Sequence, residues 1–128
     1  MEKTVPSITI DVRQQYPKEI EIRILDSMHA ALATAFGLGS KNRNARLVVH
    51  EPHRFNCPPG LDKPECYTQV SIECIPGRTL DAKRALYQAI VNNLQEFGIP
   101  PDHVLIAVRE IEAENWGIRG GQAACDVL

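Results

Sequence analysis

Apolar and polar residues alternate through Ser7-Ile8-Thr9-Ile10-Asp11-Val12, and the same alternation returns in Val70-Ser71-Ile72-Glu73-Cys74-Ile75. A period of two predicts a half-buried strand at each place. Each is followed by a stretch of helical period. In the second, Ala82, Leu86, Ala89, Ile90, Leu94 and Phe97 recur at helical spacing; Thr79 suits the N-cap, Asp81 the first turn, and Gly98 the stop. The first helix opens at Pro17, a good first-turn residue, and runs through Ile24, Met28, Leu32 and Phe36 to Gly37. Glu19 to Ile24 alternates with period two and would also fit a strand, but no turn residue separates it from the helical stretch that follows, so helix is the reading. Phe36-Gly37-Leu38 and Phe97-Gly98-Ile99 mark equivalent helix ends. Each leads through a short loop into a further strand, Ala45 to His50 and Val104 to Arg109, and the two strands end alike in His50-Glu51 and Arg109-Glu110.

The chain therefore reads twice, and internal repetition of this kind is an architectural signal. A strand, a helix and a parallel strand make a right-handed crossover whose helix covers one sheet face. Two such units predict an α/β (α+β) fold with a four-stranded sheet and two helices on one side. The expected layout of this one domain is an extension over 1–5, a first unit over 6–51, a loop over 52–66, a second unit over 67–111 and a tail over 112–128. The stretch from Pro52 to Pro64 holds four of the nine prolines and reads as a loop, since the repeat resumes directly after it. Ile8, Ile10, Val48, Val70, Ile72, Leu105 and Ala107 supply more apolar strand positions than one covered face needs, so self-association is expected to cover the second. The tail Trp116-Gly117-Ile118-Arg119-Gly120-Gly121 is expected to pair with a neighbouring subunit's sheet edge.

Composition changes this picture little. The 128 residues fit one core and not two. A net charge of −2, with no block of like charge, points to neither nucleic acid nor a membrane surface. Charged and apolar residues alternate near the start, which predicts neither a signal peptide nor a spanning helix and places the chain in the cytoplasm. Cys57, Cys66, Cys74 and Cys125 form no Cys-x-x-Cys pair and read as free thiols. His50, His53, Cys57 and Cys66 match zinc in ligand type, but their spacing and the surrounding prolines fit a structural loop better, so no metal and no cofactor is expected.

The duplicated plan, the stretch Pro76-Gly77-Arg78-Thr79-Leu80-Asp81-Ala82-Lys83-Arg84-Ala85-Leu86-Tyr87 and the tail Glu114-Asn115-Trp116-Gly117-Ile118-Arg119-Gly120-Gly121 together resemble the tautomerase superfamily. The likeness is to its fused-repeat branch, with the 4-oxalocrotonate tautomerase-like fold, near malonate semialdehyde decarboxylase and the 3-chloroacrylic acid dehalogenases. It extends from Val5 to Gly121. The resemblance implies a homotrimer and chemistry on small 2-oxo or unsaturated carboxylates, in a pocket at one end of the sheet. Its catalyst is an amino-terminal proline, whose secondary amine exchanges a proton near neutral pH, as α-amino groups titrate at about 7.7–8.0.

That proline aligns with Pro6, which follows Met1-Glu2-Lys3-Thr4-Val5. Within a chain its nitrogen is an imide with a delocalised lone pair and no proton, so loss of Met1 alone would not make it a base; a cut after Val5, or a start elsewhere, would. Arg78 matches the family arginine that grips the substrate carboxylate, a task suited to the bidentate guanidinium; the plain alternative is a solvated arginine ahead of a helix. The decarboxylase's second arginine falls on Pro76 and its assisting aspartate on Asn42, a neutral residue, and both departures argue against decarboxylation. Arg43 adds positive potential beside it. His50 is the candidate acid or base at a strand end if Pro6 stays internal, and Tyr67 and Trp116 are candidates to line the pocket, although core packing is the commoner use of each. Two readings result. One is an isomerase of small 2-oxo acids using Pro6 and Arg78; the other is a family member without its base, holding a carboxylate or serving as a structural trimer, or a hydratase or dehalogenase relative with another base.

Overall fold

The computed structural model describes residues 6–39 and 43–128. Strand β1 (Ser7–Val12) leads to helix α1 (Lys18–Phe36) and strand β2 (Ala45–Val49). The pattern repeats as β3 (Thr68–Cys74), α2 (Leu80–Leu94) and β4 (Val104–Glu110). A short tail follows, with β5 (Gly117–Ile118), β6 (Gln122–Ala123) and the single turn α3 (Ala124–Val127).

The helices form where the apolar period predicts. Ile24, Met28, Leu32 and Phe36 of α1 are all buried, and Gly37 ends the helix at φ 68°, a left-handed conformation that costs glycine no Cβ clash. The alternating Glu19–Ile24 stretch is helical throughout. Ahead of α2, the Thr79 hydroxyl accepts the Ala82 N–H at 3.1 Å and so satisfies one of the unpaired donors of the first turn. A 3-10 turn over Gln95–Phe97 continues α2 to Gly98 at φ 83°.

The sheet order is β2-β1-β3-β4. Within each repeat the strands are parallel, and the repeats meet where β1 and β3 run antiparallel, with Ile8 opposite Ile72 and Ile10 opposite Val70. Because that register pairs even positions with even positions, Ile8, Ile10, Val12, Val70, Ile72 and Cys74 all face the helices and are buried. This corrects the apolar excess expected for the second face. Of the residues counted toward it, only Val48, Leu105 and Ala107 lie there, among Thr9, Asp11, Arg46, Gln69, Ser71, Glu73 and Arg109.

The proline-rich segment is tied down by two side chains. The Arg13 guanidinium donates to the carbonyls of Phe55 (2.7 Å), Pro64 (2.7 Å) and Pro52 (3.2 Å). Buried His103 accepts the Lys63 N–H on Nε2 at 3.1 Å; the proton then sits on Nδ1, which donates to Asp102 at 2.7 Å. In the tail, Gly117 and Ile118 pair antiparallel with Ala123 and Gln122 of the same chain, so this stretch forms its own small hairpin.

Replacing Leu86, which is fully buried between α2 and the sheet, with alanine should cost about 2–5 kcal/mol of stability, read as a lower midpoint in urea unfolding with an unchanged slope.

Candidate active site

The antiparallel junction sends the two repeats to opposite ends of the sheet, which sorts the candidate residues into two groups. At the first end lie the start of β1 and the ends of β3 and β4. Pro6, just before β1, is buried. The register pairs Ser7 with Glu73 and Cys74 with Glu110, so continuing it by one position sets Pro6 beside Cys74. Pro6, Cys74 and Glu110 thus form one row across β1, β3 and β4, with the backbones of Pro6 and Glu110 roughly 10 Å apart across the sheet.

Arg78 closes this end. It follows β3 by a short turn through Gly77, whose φ of 127° suits a residue without Cβ. Its guanidinium donates to the Phe36 carbonyl at 3.0 Å and lies over the Phe36 ring at 4.8 Å from the centroid. The carbonyl belongs to the last turn of α1, where a cation also meets the negative end of the helix dipole. These contacts orient the group, and among the described residues it takes no other hydrogen bond. Lys83, in the first turn of α2, pairs with Glu110 at 3.1 Å; the Lys83 side chain is half-buried, while Glu110 stands at the solvent-exposed end of β4. The Cys74 thiol senses all three charges. Burial raises its pKa, Glu110 raises it further, and Arg78 and Lys83 oppose the rise.

Trp116 lies beyond β4 near this end, and its indole N–H donates to the Ile111 carbonyl at 3.0 Å, so its polar edge is used within the chain. Arg43 precedes β2 and forms an ion pair with Asp26 of α1; the two line a cavity of about 210 Å³ with Ile8, Ile22, Leu25 and Ala45. Asn42 lies outside the described residues.

His50 and Tyr67 stand at the other end, where β1 and β2 finish and β3 begins. The length of β1 puts them roughly 20 Å from Pro6 within one chain. His50 Nε2 lies 2.6 Å from Asp11, its ring packs edge-on against Phe55, and Phe55 packs against Tyr67. The Tyr67 hydroxyl accepts from Gln69 at 3.1 Å. One chain therefore gathers Pro6, Arg78 and Trp116 about one sheet end and leaves His50 and Tyr67 at the other. Among the described residues, no three His, Cys, Asp or Glu side chains converge as metal ligands, and no helix is long and apolar enough to cross a membrane.

Lys83 and Glu110 escape a reading by spacing, because they stand 27 positions apart; only the β3–β4 register and the packing of α2 on the sheet bring them together. The available signal was the parallel between the strand ends His50-Glu51 and Arg109-Glu110.

A family model described as tautomerase enzyme matches residues 42–119. Among solved structures, FG41 malonate semialdehyde decarboxylase inhibited by 3-bromopropiolate is 27% identical with a TM-score of 0.75, over 91% of this chain and 92% of that one. A second malonate semialdehyde decarboxylase is 22% identical with a TM-score of 0.82, over 95% and 99%. A wild-type fused 4-OT, an asymmetric trimer, is 17% identical with a TM-score of 0.83, over 94% and 98%. Comparison with curated protein sequences gives no match.

In the native protein a thiol reagent such as DTNB should react with exposed Cys125 and half-exposed Cys57, while buried Cys66 and Cys74, whose pKa values burial raises, should react only on unfolding. Fast labelling of Cys74, located by peptide mass, would contradict the buried row.

Proposed function

Because the chain belongs to the tautomerase enzyme family, we propose that it is a tautomerase-like isomerase promoting keto-enol proton transfer on small 2-oxo or unsaturated carboxylates. Arg78 clamps the substrate carboxylate. The amine of Pro6, once freed as the N-terminus, exchanges the proton. The observation that carries this reading is the meeting of Pro6 and an oriented Arg78 at one sheet end, over a row that also holds Cys74. A small unsaturated carboxylate is also what inhibits the related decarboxylase of 27% identity. Asn42 and Pro76, at positions where the decarboxylase carries an acid and a cation, favour isomerisation over decarboxylation.

The chemistry follows from the groups. A free prolyl nitrogen is a secondary amine able to take the enol hydroxyl proton and return a proton to carbon 3, while the same nitrogen acylated by Val5 has no basic lone pair. A fixed guanidinium neutralises the substrate carboxylate and aligns the reacting carbon with the amine. Trp116 adds an apolar wall, Arg43 contributes little net charge because it is paired with Asp26, and the residue before it, Asn42, is neutral. His50 and Tyr67 would serve such a site only from another subunit.

A chain beginning at Pro6 should ketonise phenylenolpyruvate clearly faster than the chain carrying residues 1–5, since the freed amine adds a general base that the acylated nitrogen cannot supply. Equal rates, with both N-termini verified by intact mass, would sink the role of the amine.

In that trimmed chain, Arg78→Ala should weaken binding of a small carboxylate inhibitor by ~1.5–3 kcal/mol while the helical circular dichroism stays the same. Unchanged affinity would mean the clamp lies elsewhere.

The assembly should be a homotrimer, in keeping with the trimeric fused 4-OT relatives. Light scattering that returns the mass of a single chain at micromolar concentration would exclude it.

A further inference from the structure

The row that ends in Glu110 carries a group that the proposed mechanism does not use. Glu110 closes β4 on the helix side of the sheet, opposite Cys74, and Cys74 separates it from Pro6. Lys83 reaches down from the first turn of α2 and holds one carboxylate oxygen, Oε1, at 3.1 Å. Among the described residues, no second polar partner engages this carboxylate. Arg78 sits at the same sheet end, and both Arg78 and Glu110 act on the thiol of Cys74. A carboxylate held by a lysine, two strands from Pro6 with Cys74 between them and at the same sheet end as the arginine that suits a substrate carboxylate, has the placement of an acid–base group. His50 lacks it, because it is bound to Asp11 at the far end of the sheet.

Resting on the isomerase reading above, we propose that Glu110 is a second catalytic residue of this site, the base that carries proton transfer in the chain whose Pro6 is still acylated. With the substrate carboxylate on Arg78, the free oxygen of Glu110 takes the enol hydroxyl proton. The O–H electron pair becomes the C=O π bond, and the C=C pair takes up a proton at carbon 3 from the carboxylic acid so formed. One proton leaves oxygen and one arrives at carbon, Glu110 ends as it began, and no other reactant is consumed. Lys83 acts as a positioning residue: its ammonium fixes the carboxylate and keeps the freed oxygen turned to the substrate.

The test uses the full chain, with its N-terminus verified by mass, and phenylenolpyruvate as the probe. Its rate above the buffer background should fall by ~100-fold on Glu110→Gln, with KM little changed because Arg78 still binds the carboxylate, and Glu110→Asp should restore part of kcat. A purely structural role would instead lower stability without this split between kcat and KM or this rescue. The chain trimmed to Pro6 separates the possible failures. If the trimmed chain is active and the full chain shows no rate above background, or one that Glu110→Gln leaves unchanged, the role of Glu110 is overturned and the Pro6 reading stands. If neither chain turns over the enol, the isomerase reading falls, and this inference falls with it.

Discussion

The antiparallel pairing of β1 with β3 is the constraint from which the rest of the molecule follows. Each repeat alone is a parallel pair with one helix, and parallel strands need their crossover helix to cover them. Joining two repeats through their first strands places both helices on one side and makes Ile8, Ile10, Val70 and Ile72 a common floor for α1 and α2. A slip of one residue at that junction would turn this whole floor toward water, so once β1 and β3 pair, burial of the apolar floor holds their register.

The same junction gives the sheet two related ends. At one, β1 finishes ahead of α1; at the other, β3 finishes ahead of α2. The two have diverged in what their arginines do. Arg13, just after β1, spends its donors on three carbonyls of the segment from Pro52 to Pro64 and so fixes a long loop across its end. Arg78, after β3, spends one donor on the Phe36 carbonyl and keeps its fork at the sheet end. Asp11 and His50 satisfy one another at the looped end, whereas Lys83 and Glu110 meet beside Arg78 at the other. One repeat has become a closed structural end and its copy an open polar one.

Burial and charge are balanced closely at the open end. Cys74 is fully buried there with a cationic guanidinium, an ammonium and a carboxylate in range, and desolvation outweighs the attraction of the cations, so the thiol stays neutral. A neutral, unreactive thiol is a compact filler between Pro6 and Glu110. The Lys83–Glu110 pair neutralises one cation locally and leaves the Arg78 guanidinium as the net positive charge of the row.

Local pattern was enough for the elements and their order. The period of two in Ser7–Val12, the helical spacing of Ile24, Met28, Leu32 and Phe36, the Thr79 cap and the glycine stops at Gly37 and Gly98 are each properties of neighbouring residues, and each appears where the chain predicts. The tautomerase likeness was legible for a related reason, since beside the duplicated plan it rests on two contiguous stretches, Pro76 to Tyr87 and Glu114 to Gly121. What the sequence left open depended on which strands pair and in which register. Only the antiparallel junction decides that Ile8, Ile10, Val70 and Ile72 share one face, leaving the other mostly polar. It also sets His50 and Tyr67 at the opposite end from Pro6 and Arg78, while the tail closes on itself in a separate pairing of Gly117 with Ala123. The row of Pro6, Cys74 and Glu110 joins residues from three strands, and its members become neighbours only when hydrogen bonds between strands, which act over any separation in sequence, fix the register.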